Sequence, residues 1–172
     1  MSLLNSSHEP KLVTADGTLI PDGWRLLADD ETVGVDEPNV LGFDRALAEL
    51  DGLNGKYGVR VNPADDVRKL LPFIDKIALI EVAFPGYRDG RGYSTARILR
   101  EEGFTGPIRA VGDVLRDQLL YMIRVGFDEF LVKDADPQGA IAHAKSLFDY
   151  AYQSAADDLK PVWQLRQEAT GA

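Results

Sequence analysis

The stretch FPGYRDGRGYSTARILREEGF, residues 84–104, combines four arginines with a glycine-rich turn and contains no lysine. A guanidinium is a planar fork of five donors. It grips a carboxylate, a phosphate or a sulfur oxyanion through two bonds at once, which the point charge of lysine cannot do. Gly90 and Gly92 permit close backbone approach to a ligand. A helix opening near Ser94, its expected N-cap, would aim free N–H groups and the positive end of its dipole at the same place. This pattern reads as a site for an oxyanion or an acidic partner. Arg91 and Arg97 are its first ligands and Arg116 its third, Asp89 orients Arg91, and Tyr93 offers a hydroxyl. Arg109 and Asp113 complete the set.

The same spacings admit a plainer reading. Arg97 and Glu101 stand four residues apart, as a pair on a solvated helix face would. Arg100, Arg109 and Arg124 can pair with Asp117, Glu101 or Glu102. The segment 88–124 holds seven arginines, five acids and no lysine, within a chain of 172 residues whose net charge is −9. That overall charge argues against nonspecific binding to nucleic acid or to an anionic membrane.

Other chemistries find no residues. The chain has no cysteine and only His8 and His143, so thiolate catalysis, disulfides, cysteine-held clusters and a histidine metal site are not expected. DGRGYS lacks the glycine spacing of a dinucleotide fingerprint and the Gly-Lys-Ser/Thr of a P-loop, and no flavin phosphate loop is visible. No cofactor is therefore expected. An enzymatic reading would rest on Asp89 or Asp113 as acid or base, and would require a concave pocket and a carboxyl of perturbed pKa. No apolar run reaches about 18 residues and the first ten carry no signal core, which predicts a cytoplasmic protein without a membrane partner.

The elements that must position these residues follow from periodicity. Residues 1–11 read as a flexible tail. Residues 12–55 form an N-terminal extension: a hairpin turning at Asp16-Gly17, Trp24 packing it onto the body, an acidic loop, and a short helix over GFDRALAELDG. Residues 56–154 form the α/β core, with strands at YGVRV, KIALIEVAF, PIRAVG and DEFLVK. Helices lie between them, including one capped by Asp113 and a closing helix over 136–153 with Phe148 and Ala151 inward. Residues 155–172 are a C-terminal tail whose Val162, Trp163 and Leu165 dock on the domain or meet a partner. Alternating strands and helices predict an α/β fold, a parallel sheet of about four to five strands with flanking helices plus the hairpin. Its order is either flavodoxin- or receiver-like or that of half a (β/α)8 barrel. Ligands of such sheets bind beyond the carboxyl ends of the strands, where the unusual polar residues gather.

Two resemblances add to this. Asp89, Gly90, Arg91, Tyr93, Ser94, Ala96, Leu99 and Arg100, continued by Arg109-Ala110, Gly112-Asp113-Val114, Asp117-Gln118 and Gly126-Phe127-Asp128, resemble the hallmark string of a bacterial family of undetermined function. That family is linked, as a probable oxidoreductase, to sulfite reduction through the neighbourhood of its genes to the sulfite reductase gene. The resemblance covers most of the chain. It implies an accessory role in assimilatory sulfite reduction, with sulfite reductase or another sulfur-assimilation enzyme as partner; any electron transfer would need a cofactor held by that partner. More distantly, IALIEVAFPGYRDG and the last strand and helix are similar to response-regulator receivers, with Asp65, Asp66 and Lys133 at the acidic-pair and lysine positions. Glu81 stands where a receiver keeps its phosphoacceptor aspartate, so this resemblance implies an interaction module that works without phosphorylation.

Overall fold

The computed structural model describes residues 9–34, 37–157 and 159–170. The first eight residues of the expected tail lie outside them. One eight-stranded sheet organises the chain. Its strands are β1 (Lys11–Thr14), β2 (Leu19–Ile20), β3 (Arg25–Leu26), β4 (Asn39–Gly42), β5 (Tyr57–Val61), β6 (Ile77–Phe84), β7 (Ile108–Gly112) and β8 (Glu129–Val132). They lie in the order β2-β1-β8-β7-β6-β5-β4-β3. From β3 to β8 all neighbours are parallel, whereas β1 joins β8 and β2 antiparallel.

The expectation of four to five strands is thus corrected to eight. The hairpin is part of the main sheet. Two further strands arise: β3 directly after Trp24, at the end of the expected hairpin unit, and β4 where the acidic loop was expected to lead into a helix. The flavodoxin- or receiver-like alternative is also corrected. Those folds reverse direction within the sheet, as in the order 2-1-3-4-5, but β3 to β8 advance without a reversal. That is the progression of a (β/α)8 barrel cut in half.

The connection between β2 and β3 requires the sheet to curl. These strands occupy opposite edges, and seven interstrand steps of about 4.8 Å would part them by roughly 34 Å in a flat sheet. The chain from Ile20 to Arg25 can span at most about 18 Å. The edges must therefore approach each other, and Pro21-Asp22-Gly23-Trp24 becomes a strap across the concave face. Trp24 lies over Gly58 on β5, where a Cβ would sit 3.2 Å from the indole.

Helices cover the convex face: α1 (Phe43–Glu49), α2 (Arg91–Glu101), α3 (Leu119–Val125) and α4 (Pro137–Ser146), with a 3-10 segment over Val67–Lys76. On α2, Gly92, Thr95, Ala96 and Leu99 are buried, the i, i+3/i+4, i+7 stripe of an amphipathic helix. Phe84, Val82 and Ile80 of β6 supply the opposing apolar surface. A last helix, α5 (Val162–Thr170), has no buried residue. The closing helix is shorter than expected and ends at Ser146, leaving Leu147 and Phe148 exposed. Ala151 is buried, but through a bridge to Pro161.

The concave face carries a row of charges. In register across four adjacent strands stand Arg60, Glu81, Arg109 and Glu129. Arg60 donates to Glu81 Oε2 from Nε and Nη2 (2.8 and 2.6 Å). Arg109 donates from Nε to Glu129 Oε2 (2.8 Å) and from Nη1 to Asp22 Oδ1 of the strap (2.8 Å), with Glu81 Oε1 at 3.4 Å. Arg109 is 2% exposed and Glu81 3%. A buried ion that loses one partner leaves an uncompensated charge, at about 3–5 kcal/mol. Arg109→Met should therefore lower unfolding stability by about 3–5 kcal/mol in urea denaturation. Arg60→Met should cost visibly less, because Glu81 keeps Arg109 beside it at 3.4 Å and water can enter the space vacated by the Arg60 side chain, which is 31% exposed. Equal losses would contradict this account of the row.

Candidate functional site

At the carboxyl ends of β6 and β7, two loops lock together. Gly112 ends β7 at φ +99°, a conformation suited to glycine; a Cβ there would lie 2.4 Å from the carbonyl oxygen of Phe84. This tight approach lets Asp113 donate its N–H to Phe84 O (2.8 Å). The Asp113 carboxylate then accepts from the N–H of Tyr87 (2.9 Å), and Gln118 Nε2 donates to the carbonyl of the same tyrosine (2.7 Å). Gln118 is itself held by the N–H of Leu115 on its Oε1 (3.1 Å). Both backbone groups of Tyr87 are thereby fixed. Asp113 is not the helix cap expected from the sequence: the segment after it is a 3-10 turn, Arg116–Gln118, leading into α3.

The turn DGRG follows. α2 opens at Arg91 with Gly90 as its N-cap and no capping side-chain bond, which corrects the assignment of Ser94. That residue sits exposed inside the helix. Asp89 is the carboxylate at the helix start: it accepts from the Arg91 N–H (3.2 Å), and holds the Arg91 guanidinium bidentately, Nε to Oδ1 at 2.9 Å and Nη2 to Oδ2 at 2.7 Å. These bonds push the Asp89 carboxyl below its ordinary range and the Arg91 guanidinium further up. Asp89 stays ionised with both oxygens engaged, and is not poised as a proton donor. Gly92, expected to admit a ligand, instead admits the sheet: a Cβ there would lie 2.5 Å from the Phe84 ring. Tyr93 packs edge-on against Phe84, ring centroids 5.7 Å apart. Burial, with Asp117 nearby, raises its hydroxyl pKa.

The structure divides the sequence-selected arginines. Arg91 remains on the rim, 62% exposed. Arg116 also lies on the rim, but turned toward α4, where Nη2 donates to Gly139 O (3.2 Å) and Nη1 lies 3.7 Å from Asp134. Arg97 does not join them. It pairs with Glu101 at 2.7 Å on α2 and lines a different hollow with Arg100, Phe104 and Thr105, about 9 Å along the helix from Arg91. Arg109 is committed to the buried row. Arg100 is a staple: Nε donates to Gly126 O, Nη1 to the carbonyls of Phe104 and Gly106, and Nη2 to Asp128.

One rim residue escaped the sequence reading. Arg88 lies over the Tyr87 ring, 5.3 Å from its centroid, and both are exposed. It adjoins the DGR motif, but nothing in its type separates it from the other six arginines of the segment. Pro85, Gly86, Arg88, Asp89, Gly90 and Arg91 line an open, shallow depression of about 550 Å³. Among the described residues no group of three or more His, Asp or Glu side chains is placed to hold a metal ion, and no helix is long and apolar enough to cross a membrane.

A fold built on a sequentially ordered half-barrel sheet, with a tied polar rim at its strand ends, describes the class to which this chain belongs. Residues 58–163, more than half of the chain, match the model of DUF934, a bacterial protein family of unknown function, and the chain belongs to that family. No curated protein matches it. The matched region runs from β5 into α5, and includes the strand charges and both rim loops.

The two glycines of the turn should respond oppositely to a side chain. Gly90 has open space around its Cβ position, so Gly90→Ala should leave stability nearly unchanged. Gly92→Ala should cost about 1–3 kcal/mol by overpacking against Phe84, read in urea denaturation; a neutral Gly92→Ala would refute the packing role. Tyr93 should ionise above the ordinary value of 10.0 in an ultraviolet pH titration of wild type against Tyr93→Phe. Because the folded state holds this proton to higher pH than the unfolded state, Tyr93's contribution is complete below about pH 10 and is lost as pH rises through the raised value.

Proposed function

We propose that this protein is a non-enzymatic accessory protein of sulfite reduction that docks on an acidic surface of a partner through Tyr87, Arg88 and Arg91. The observation that carries the docking is the fixed backbone of Tyr87. An exposed tyrosine whose backbone is held before contact by Asp113 and Gln118, with Arg88 over its ring, forfeits less backbone entropy on binding than a free loop would, and these two residue types dominate interface energetics. The shape of the rim favours a surface over a small oxyanion, because a shallow depression encloses no ligand. An acid–base role for Asp89 is disfavoured by the lowering of its pKa. The pathway rests on the family resemblance, through the run Asp89–Arg100 and the Gly112–Gln118 segment.

The test is growth of a deletion strain on sulfate, sulfite or cysteine as sole sulfur source, complemented by wild type or by the double variant Arg88→Glu, Arg91→Glu. Growth should fail on sulfate and sulfite, return with cysteine, and be restored by wild type but not by the variant. Normal growth of the deletion on all three sources would remove the sulfite link. Rescue by the variant would remove the rim.

A further inference from the structure

A second surface stands apart from the rim, on the helical side of the molecule. There α3, the end of α4, residues 148–157 and Leu159 enclose a groove of about 800 Å³. Tyr121, Phe148, Tyr150 and Tyr152 stand along it, 58, 60, 64 and 82% exposed, and Trp163, two residues beyond the bridged Pro161, is 53% exposed. At roughly 200 Å² per aromatic side chain, these fractions leave on the order of 600 Å² of ring surface in water. With Leu147 and Leu159 also exposed beside them, the face approaches the roughly 800 Å² that each partner contributes to a stable complex.

Two observations indicate what covers it. First, the charges lining the groove are largely paired from within. Arg100 pairs with Asp128 and Arg124 with Asp157 (3.1 Å), whereas Lys145 donates to the neutral carbonyl of Ala15 and keeps its positive charge. In a chain of net charge −9, that groove suits a second copy of the same acidic chain better than a basic partner. Second, the same face carries a ridge as well as a groove. α5 leaves the groove wall at the Ala151–Pro161 bridge and buries none of its own residues, so groove and ridge can be exchanged across a two-fold axis.

We infer that the aromatic groove is the interface of a symmetric homodimer, in which Trp163 of each copy enters the groove of the other.

Sedimentation velocity of the full chain, from low to high micromolar concentration, tests this. Wild type should pass from monomer to dimer. Trp163→Ala, which removes the ring from the ridge, should weaken the dimer at least about tenfold, as loss of a buried aromatic anchor would. Trp163→Asp and Tyr152→Asp should be monomeric throughout, with unchanged circular dichroism because both positions are exposed. Arg88→Glu, Arg91→Glu should dimerise like wild type, which separates this face from the rim. A wild type that stays monomeric at every concentration would overturn the inference and leave the face to a different protein. A dimer that survives Trp163→Asp would overturn it by locating the interface elsewhere.

Discussion

Arg109 has no route to water and three carboxylates around it. Glu129 and Glu81 come from the strands on either side, and Asp22 comes from the strap that closes the concave face. An unpaired guanidinium at that depth would destabilise the fold, because the penalty for removing it from water is several kcal/mol. The residue therefore demands that all three partners arrive together. Asp22 can arrive only if the strap lies across the sheet, and the strap spans the two edges only if the sheet is curled. One buried cation thus ties the register of β6, β7 and β8 to the curvature of the whole sheet. Apolar side chains of similar volume could give as much stability, but they would not fix which strap residue meets which strand.

The row also decides where function can reside. In a complete (β/α)8 barrel the interior is filled by layered side chains and the chemistry sits at the strand ends. Here the concave face is filled as well, by alternating charges at mid-height and by Trp24 against Gly58 nearer the amino ends of the strands. What remains accessible is the rim and the outer surface of the helices. The arginines follow the same division. Those facing inward or toward loop carbonyls, Arg109, Arg100 and Arg124, hold the fold together. Those at the rim, Arg88 and Arg91, face solvent.

Much of this was legible in the sequence, and the parts that were not have physical reasons. The four core strands were readable because each is an apolar run bounded by turn residues. β3 and β4 were not, since strands of two and four residues are too short to show a period. The charge row had a visible signature that passed unread: YGVRV, IALIEVAF, PIRAV and EFLV each carry one charge, alternating Arg, Glu, Arg, Glu along the chain. A single charge within each buried strand, alternating in sign, fits neighbours in sequential order, where opposite charges meet, and disfavours the order 2-1-3-4, which would set the two arginines side by side. That pattern would have favoured the half-barrel over the flavodoxin order. At the rim, motif spacing located the loop and the partnership of Asp89 with Arg91. It did not separate Arg88 from Arg97, because exposure and pairing are tertiary properties and the residue type is the same.

The glycines and acids of the rim gain a different meaning from the geometry. Gly92 suggests close backbone approach to a ligand when read along the chain, yet it is spent on packing against the Phe84 ring, as Gly112 is against the Phe84 carbonyl. Asp113 suggests an acid or base, yet it binds the backbone of Tyr87, as Gln118 does. A loop held this firmly on its inner side, with an aromatic ring and guanidinium groups on its outer side, is suited to recognition by a surface. It has no enclosed volume in which to exclude water from a reaction, and its one carboxylate of shifted pKa moves toward permanent ionisation. The constraints that hold the rim in place therefore favour binding over catalysis.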